Sequence, residues 1–356
     1  MTASRYRGST AVWAMLIAYA SLYPFYPLRP PAVEAVGNFF LKPRYLVGAD
    51  VAWNVLAYIP LGLLACLCFR QAGEERRAIF KAVGLAAAFS FLMETAQLFV
   101  PTRVASLYDV LANTGGALLG ALAFADPLYS VATRPLGEFR GRAIISGAWG
   151  DAGLVLLLLW LISQLNPALP FFGAGNIGGE GAGEAALLKG FAVSLSICGF
   201  GLFVSVVVAG SQGSLRATIV LLSAALWLKF AAASAMLQPH FSEDWVSSGR
   251  VLGLVGGILA FVPLRRLSRP ARIYLGLVMI LAGALFSKIF GAYSPIDEFV
   301  RLFRWPYGQL ASFASLTRFL HEAWPFAAVV FLSALFLRVR RQPEGNKMAG
   351  PGRESP

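Results

Sequence analysis

Charge is what this sequence has least of. Only 13% of its 356 residues are Asp, Glu, Lys or Arg, against about 25% in a soluble globular chain. Hydrophobic residues make up 57%. That balance excludes an ordinary water-soluble domain and predicts a polytopic membrane protein. Cysteine is nearly as scarce. Cys66, Cys68 and Cys198 all fall inside apolar stretches, which excludes an external disulfide framework and leaves them as small core residues. Histidine occurs twice, at His240 and His321. With Glu243, Asp244 and Glu322 these share the predicted outer side, but no H-E-x-x-H or other close ligand spacing is present, so no metal and no cofactor is predicted. A Ser–His or Cys–His nucleophile signature is also missing.

What the chain does have is apolar runs of helix-spanning length, about 17–25 residues. Ten can be drawn, at 8–24, 50–69, 78–100, 107–125, 144–165, 186–209, 215–237, 249–264, 271–290 and 323–339. The fold class is therefore all-α, a helical membrane protein with about ten transmembrane helices. With the N-terminus inside, the cytoplasmic segments hold 19 Lys and Arg and the external ones 9. The positive-inside rule then puts both termini in the cytoplasm. The net charge of +12 is a topology signal, and no nucleic-acid partner is predicted. Arg5, Arg7 and Ala18-Tyr19-Ala20 resemble a signal peptide, but the run continues straight into Leu22-Tyr23 and reads as a retained first helix.

One stretch, 93–120, breaks the apolar pattern: Glu94, Gln97, Arg103, Asp109 and Asn113 fall in it between two apolar runs. A charged side chain at the centre of a membrane helix costs about 2.5–3.5 kcal/mol on insertion scales, so such residues have a partner or a task. Glu94 and Gln97 share one helix face by their i, i+3 spacing. Asp109, Asn113, Gly116 and Gly120 share another, and Gly116 with Gly120 forms a small-xxx-small pair that admits a close neighbouring helix. In the preceding helix Asp50, Asn54 and Tyr58 follow i, i+4, i+8 spacing, ahead of Pro60 and Gly62. The predicted topology brings all these polar residues to the outer face. A purely structural reading stands beside the functional one: Ser106 and Asp109 make an S-x-x-D capping box, and the two asparagines suit interhelical hydrogen bonds.

The set Asn54, Pro60, Gly62, Glu94, Gln97, Arg103, Asp109, Asn113 and Gly116 resembles the VanZ-like family of membrane proteins. The pattern is an Asn followed six residues later by Pro-x-Gly, then Glu-x-x-Gln, an Arg after a short turn, and Asp-x-x-x-Asn-x-x-Gly. The resemblance covers roughly residues 11–125. It implies a membrane domain linked to glycopeptide-antibiotic or envelope-stress resistance in a bacterial-type cytoplasmic membrane; the candidate ligand-binding residues, read from the polar cluster itself, are Asn54, Tyr58, Glu94, Gln97, Arg103, Asp109 and Asn113.

The organisation that follows is a four-helix domain at 1–126, a basic cytoplasmic linker at 127–143, a six-helix domain at 144–340 and a disordered basic tail at 341–356. The Pro- and aromatic-rich segment 24–49 suits the external headgroup region. Within 291–322, Ser294-Pro295-Ile296-Asp297 starts an interfacial amphipathic helix, and Trp305, Tyr307 and Trp324 suit an aromatic belt. Gly173, Gly175 and Gly178 spell G-x-G-x-x-G in an external loop without a Rossmann context, and read as a flexible linker. Arg250-Val-Leu followed by Gly256-Gly257 echoes Asp109-Val-Leu followed by Gly115-Gly116; chance likeness of Gly/Leu-rich helices is the simpler reading. Lys229, deep in an apolar run, requires a carbonyl or acid partner, whereas Lys288 lies near a helix end and can snorkel.

Three functional readings follow. The polar site binds an envelope component, a lipid-linked or peptidoglycan-type headgroup, with membrane lipids as the other partners. Alternatively Glu94 and Asp109 are the catalytic acid/base pair of a membrane-embedded hydrolase or transferase, with Arg103 holding a phosphate or pairing with an acid. The third is a transporter, disfavoured because the polar residues gather at one face instead of the midplane. Orientation is testable directly. A cysteine introduced at Asn176 is expected to react with an impermeant thiol reagent in intact cells; labelling only after lysis would reverse the topology.

Overall fold

The structure, a computed structural model, describes residues 4–41, 48–123, 138, 140–166, 169, 176–177, 184–236, 248–292 and 307–341. The chain there is helical almost throughout. Helices α1 (Ser4–Leu22), α2 (Val33–Phe39), α3 (Gly48–Gln71), α4 (Ala78–Gln97) and α5 (Leu107–Leu122) come first. They are followed by α6 (Ala148–Ser163), α7 (Glu184–Val207), α8 (Ser211–Met236), α9 (Ser248–Leu264), α10 (Arg269–Phe290) and α11 (Tyr307–Arg341). A two-residue antiparallel pairing joins β1 (Asn176–Ile177) to β2 (Gly291–Ala292). By length and composition six helical stretches can cross a membrane: Val51–Gln71, Glu75–Gln97, Gly190–Val207, Gly213–Ala233, Arg269–Phe286 and Phe313–Arg340. Ala148–Ser163 and Val251–Leu264 are apolar but shorter.

The last helix departs from the reading of the sequence. It begins at Tyr307, not at 323, and Pro325 lies inside it. Proline suits a first turn, but in an apolar setting packed neighbours allow a helix to run through one. Trp324 is also not a belt residue. Its indole N–H donates to the Leu156 carbonyl at 2.7 Å, and Trp160, Phe200 and Phe203 pack around its ring. The amphipathic segment 296–304, Lys288's side chain, the Gly-rich stretch at 173–175 and 178, and the tail after 341 lie outside the described residues.

The chain divides into two compact units, residues 1–142 with 303–317 and residues 143–302 with 318–356. In the first, α3 packs on α1, α4 and α5. Its contact with α5 is backbone against backbone. A Cβ at Gly116 would lie 2.2 Å from the Val55 carbonyl oxygen, one at Gly120 1.9 Å from that of Ile59, and one at Gly62 2.0 Å from that of Ala117. The partner numbers rise together, so α3 and α5 run parallel, as two strokes of an out-and-back path through α4 must. Ile17, Tyr58, Leu61, Ala86 and Ala117 close the core around this seam.

The second unit is organised on α7. Of its apolar window 78% is enclosed, against 22–33% for the other five spanning stretches. α9 lies parallel to α7 through glycines again: a Cβ at Gly253 would meet the Gly190 oxygen at 2.7 Å, and one at Gly257 the Ser194 oxygen at 2.8 Å. The echo between 109–116 and 250–257 thus extends from sequence to packing. Lys229, only 3% exposed, has the carbonyl partner its position requires, donating to the Asn166 oxygen at 2.8 Å.

The glycine seam yields a paired test. Gly116→Val is expected to force α3 and α5 apart and lower stability by about 3 kcal/mol or more, the upper end of overpacking penalties. Gly115→Ala meets nothing within 4 Å and is expected to be neutral or to raise the melting temperature in detergent, since alanine favours the helix.

Candidate functional site

The site begins where α5 begins. Ser106 is the N-cap residue, in extended conformation, and its hydroxyl accepts the Tyr108 N–H at 3.2 Å. Its own N–H donates to Oε2 of Glu94 at 3.0 Å. The S-x-x-D spacing assigns such a role to Asp109, but the acid that takes it comes from α4. The turn at 98–105 folds back and sets the end of one helix against the start of the next. A carboxylate there satisfies an orphan amide and faces the positive end of the α5 dipole. Asp109 sits half-buried in the first turn of α5, within electrostatic reach of Glu94.

One turn deeper, three helices contribute to a second layer. Ser90 on α4 is fully buried, and its hydroxyl accepts from Nδ2 of Asn113 on α5 at 2.8 Å. Tyr58 on α3 is 2% exposed and Asn113 4%. The Tyr58 hydroxyl faces Ser90 and Glu94. Neither the Tyr58 hydroxyl nor Oδ1 of Asn113 has a hydrogen-bond partner among the described residues. Reversing the Asn113 amide would only exchange which of its ends is left over. Ser90 is the member that sequence reasoning misses. It stands one helical turn before Glu94 on the same face, and that i, i+4 offset is the signal that finds it.

Gln97 and Arg103 do something else. Nε2 of Gln97 donates to the Ser21 carbonyl at 3.2 Å. Arg103 donates from Nε to the Tyr23 carbonyl at 3.1 Å and from Nη2 to that of Ala20 at 2.6 Å. Together they close the C-terminal turn of α1, whose last carbonyls lack intrahelical donors and carry partial negative charge. Burial holds the Arg103 guanidinium below its ordinary pKa, an effect that nearby Glu94 opposes. Asn54 is half-buried on α3, one turn before Tyr58. The side chain of Asp50 lies outside the described residues. Of the sequence-predicted set, Tyr58, Glu94 and Asn113 come together with Ser90, whereas Gln97 and Arg103 are turned to α1.

Apolar helices packed through glycines around a buried polar layer define a multi-pass membrane protein. Residues 3–129 match the family model described as VanZ/LLP1, so roughly the first third of the chain is VanZ-like, and the match takes in every motif position from Asn54 to Gly116. No curated protein and no solved structure matches the chain.

Four substitutions at two positions separate the roles described. Arg103→Ala is expected to destabilise the protein by about 1.5–3 kcal/mol, the range for hydrogen bonds from a charged group. Arg103→Lys should recover part of that, because one ammonium reaches fewer of the α1 carbonyls at once. Glu94→Gln retains an acceptor for the Ser106 amide and is expected to melt close to wild type. Glu94→Leu loses the cap, worth about 0.5–2 kcal/mol. Thermal unfolding in one detergent measures all four.

Proposed function

We propose that residues 1–126 form a VanZ-like binding module in a bacterial-type cytoplasmic membrane, and that its polar layer engages the headgroup of a cell-envelope component at the outer face. The observation that carries this reading is the buried pair of unsatisfied polar atoms on Tyr58 and Asn113, set between α3, α4 and α5. Buried polar groups of folded proteins are nearly always paired, and polar side chains inside membrane helices mark functional sites by default. In the same reading all ten helices cross the membrane, both termini are cytoplasmic, residues 144–340 form the second membrane domain, and the activity contributes to glycopeptide or envelope-stress resistance. The lysine and arginine distribution supports the orientation, and the VanZ/LLP1 match supports the resistance link.

The enzyme reading keeps one observation in its favour, the electrostatic proximity of Glu94 and Asp109. Glu94, however, already holds the start of α5, a task that suits a fixed acceptor better than a group that must exchange protons. The deciding experiment is incubation of the full-length protein in nanodiscs with a polyprenyl-linked disaccharide peptidoglycan precursor. Saturable binding without turnover, lost in folded Asn113→Leu, is expected. Turnover that disappears in folded Glu94→Gln would make the protein an enzyme. Absence of both binding and turnover would remove the headgroup reading.

A further inference from the structure

Helix α2 (Val33–Phe39) is too short to cross a membrane and matches none of the ten apolar runs. Two contacts fix its place on the flank of α4. The Arg29 N–H donates to the Phe99 carbonyl at 2.9 Å, just beyond the last residue of α4. Ten residues later the Phe39 ring meets that of Phe91 edge-on, with centroids 6.1 Å apart. Phe91 precedes Gln97, where α4 ends, by six residues, roughly 9 Å along the axis at 1.5 Å per residue. Between these contacts the chain runs back along α4, inward of the level at which that helix ends.

Around α2 the helical period sorts the side chains into three sectors. Phe39, 3% exposed, lies on the α4 side with Ala35 one turn before it. Glu34 and Asn38, four apart and both exposed, make a polar edge on one side. Val33, Val36 and Phe40 follow i, i+3, i+7 spacing and make an apolar edge on the other, exposed at 90, 40 and 64%. Beside them Phe91 and Leu92 of α4 are exposed as well, within the stretch Glu75–Gln97 that has the length and composition to cross a membrane. The medium beside a spanning helix at that depth is the boundary of headgroups and acyl chains. A helix lying in that boundary buries its apolar face about 5–10 Å deep, and the 9 Å offset of Phe91 falls in this range.

We infer that α2 is a lipid-docking helix. It lies in the plane of the leaflet at the α4–α5 turn, with Val33, Val36 and Phe40 seated among acyl chains and with Glu34 and Asn38 among headgroups. Phe39 on Phe91 sets its depth. This needs only that Glu75–Gln97 crosses the membrane, and it holds whatever the polar layer between α3, α4 and α5 binds.

The test uses the full-length protein in phosphatidylcholine nanodiscs, with a nitroxide attached at Val36→Cys, Phe40→Cys, Glu34→Cys or Asn38→Cys in turn. Cys68→Ala removes the half-buried native thiol; Cys66 and Cys198 are buried, and the parent that carries them is the blank. All four labelled positions are exposed, so labelling leaves the fold intact, which an unchanged melting temperature checks. Each label is exposed to oxygen, which concentrates among acyl chains, and to a water-soluble nickel chelate. The ratio of oxygen to nickel collisions is expected to be at least fivefold higher at Val36 and Phe40 than at Glu34 and Asn38. Adding Phe39→Ala, which removes the ring contact, should at least halve that difference. Nickel collisions dominating at all four positions would put α2 in water and overturn the inference. Oxygen dominating at all four would sink the polar edge too and overturn the in-plane placement. Labels at Val36 and Phe40 that neither reagent reaches would mean that protein, such as a second copy of the chain, covers the apolar edge, and the lipid assignment would fall.

Discussion

A helix end in or near a bilayer has no bulk water to satisfy it, and that constraint organises this protein more than any single apolar contact. In the first unit the buried Glu94, Gln97 and Ser106 and the part-buried Arg103 answer it. Glu94 supplies the acceptor for the amide at the start of α5. Gln97 and Arg103 supply donors for the carbonyls at the end of α1. In the second unit Lys229 does the same for the carbonyl of Asn166, just beyond α6. What looks in sequence like a cluster of potential catalysts is in large part a set of end-fittings for helices. The residues left over after that assignment, Tyr58 and Asn113, are the ones whose chemistry the fold does not consume.

Those two are brought together by the glycine seam. Gly62, Gly116 and Gly120 let α3 and α5 approach until carbonyl oxygens occupy the space of a missing Cβ. Such proximity replaces the hydrophobic drive that lipid surroundings cannot supply between helices. It also carries Tyr58 and Asn113 inward, against α4 and Ser90. The second unit repeats the device with Gly253 and Gly257 of α9 set against α7, but the place of Asn113 in the echoed stretch is taken by Leu254. There the same backbone arrangement encloses an apolar core that contains Val193, Ile197 and Phe200.

Much of this was legible in the residues. Hydropathy locates a helix at each of the ten ranges drawn, and the small-xxx-small spacing at Gly116 and Gly120 identifies the face that α3 covers. The requirement for a carbonyl or acid beside Lys229 follows from its depth alone. Partner identity was less accessible. Spacing rules see three or four residues along one helix, so they point to Asp109 as the acid for Ser106; the actual acid stands twelve residues earlier, on another helix. Spacing also gives no sign that Arg103 serves the Ala20 and Tyr23 carbonyls, backbone atoms 83 and 80 residues away. Backbone acceptors leave no trace in side-chain patterns.

The Arg103 clamp also imposes an order on biosynthesis. The C-terminal turn of α1 is made early, but its cation lies 83 residues downstream of Ala20. At about 5–20 residues per second, translation needs roughly 4–17 s to deliver it. Through that interval the exposed carbonyls of Ala20 and Tyr23 must be served by water, lipid headgroups or the insertion machinery. The first helix of the chain is therefore fastened only once the turn between α4 and α5 has been made.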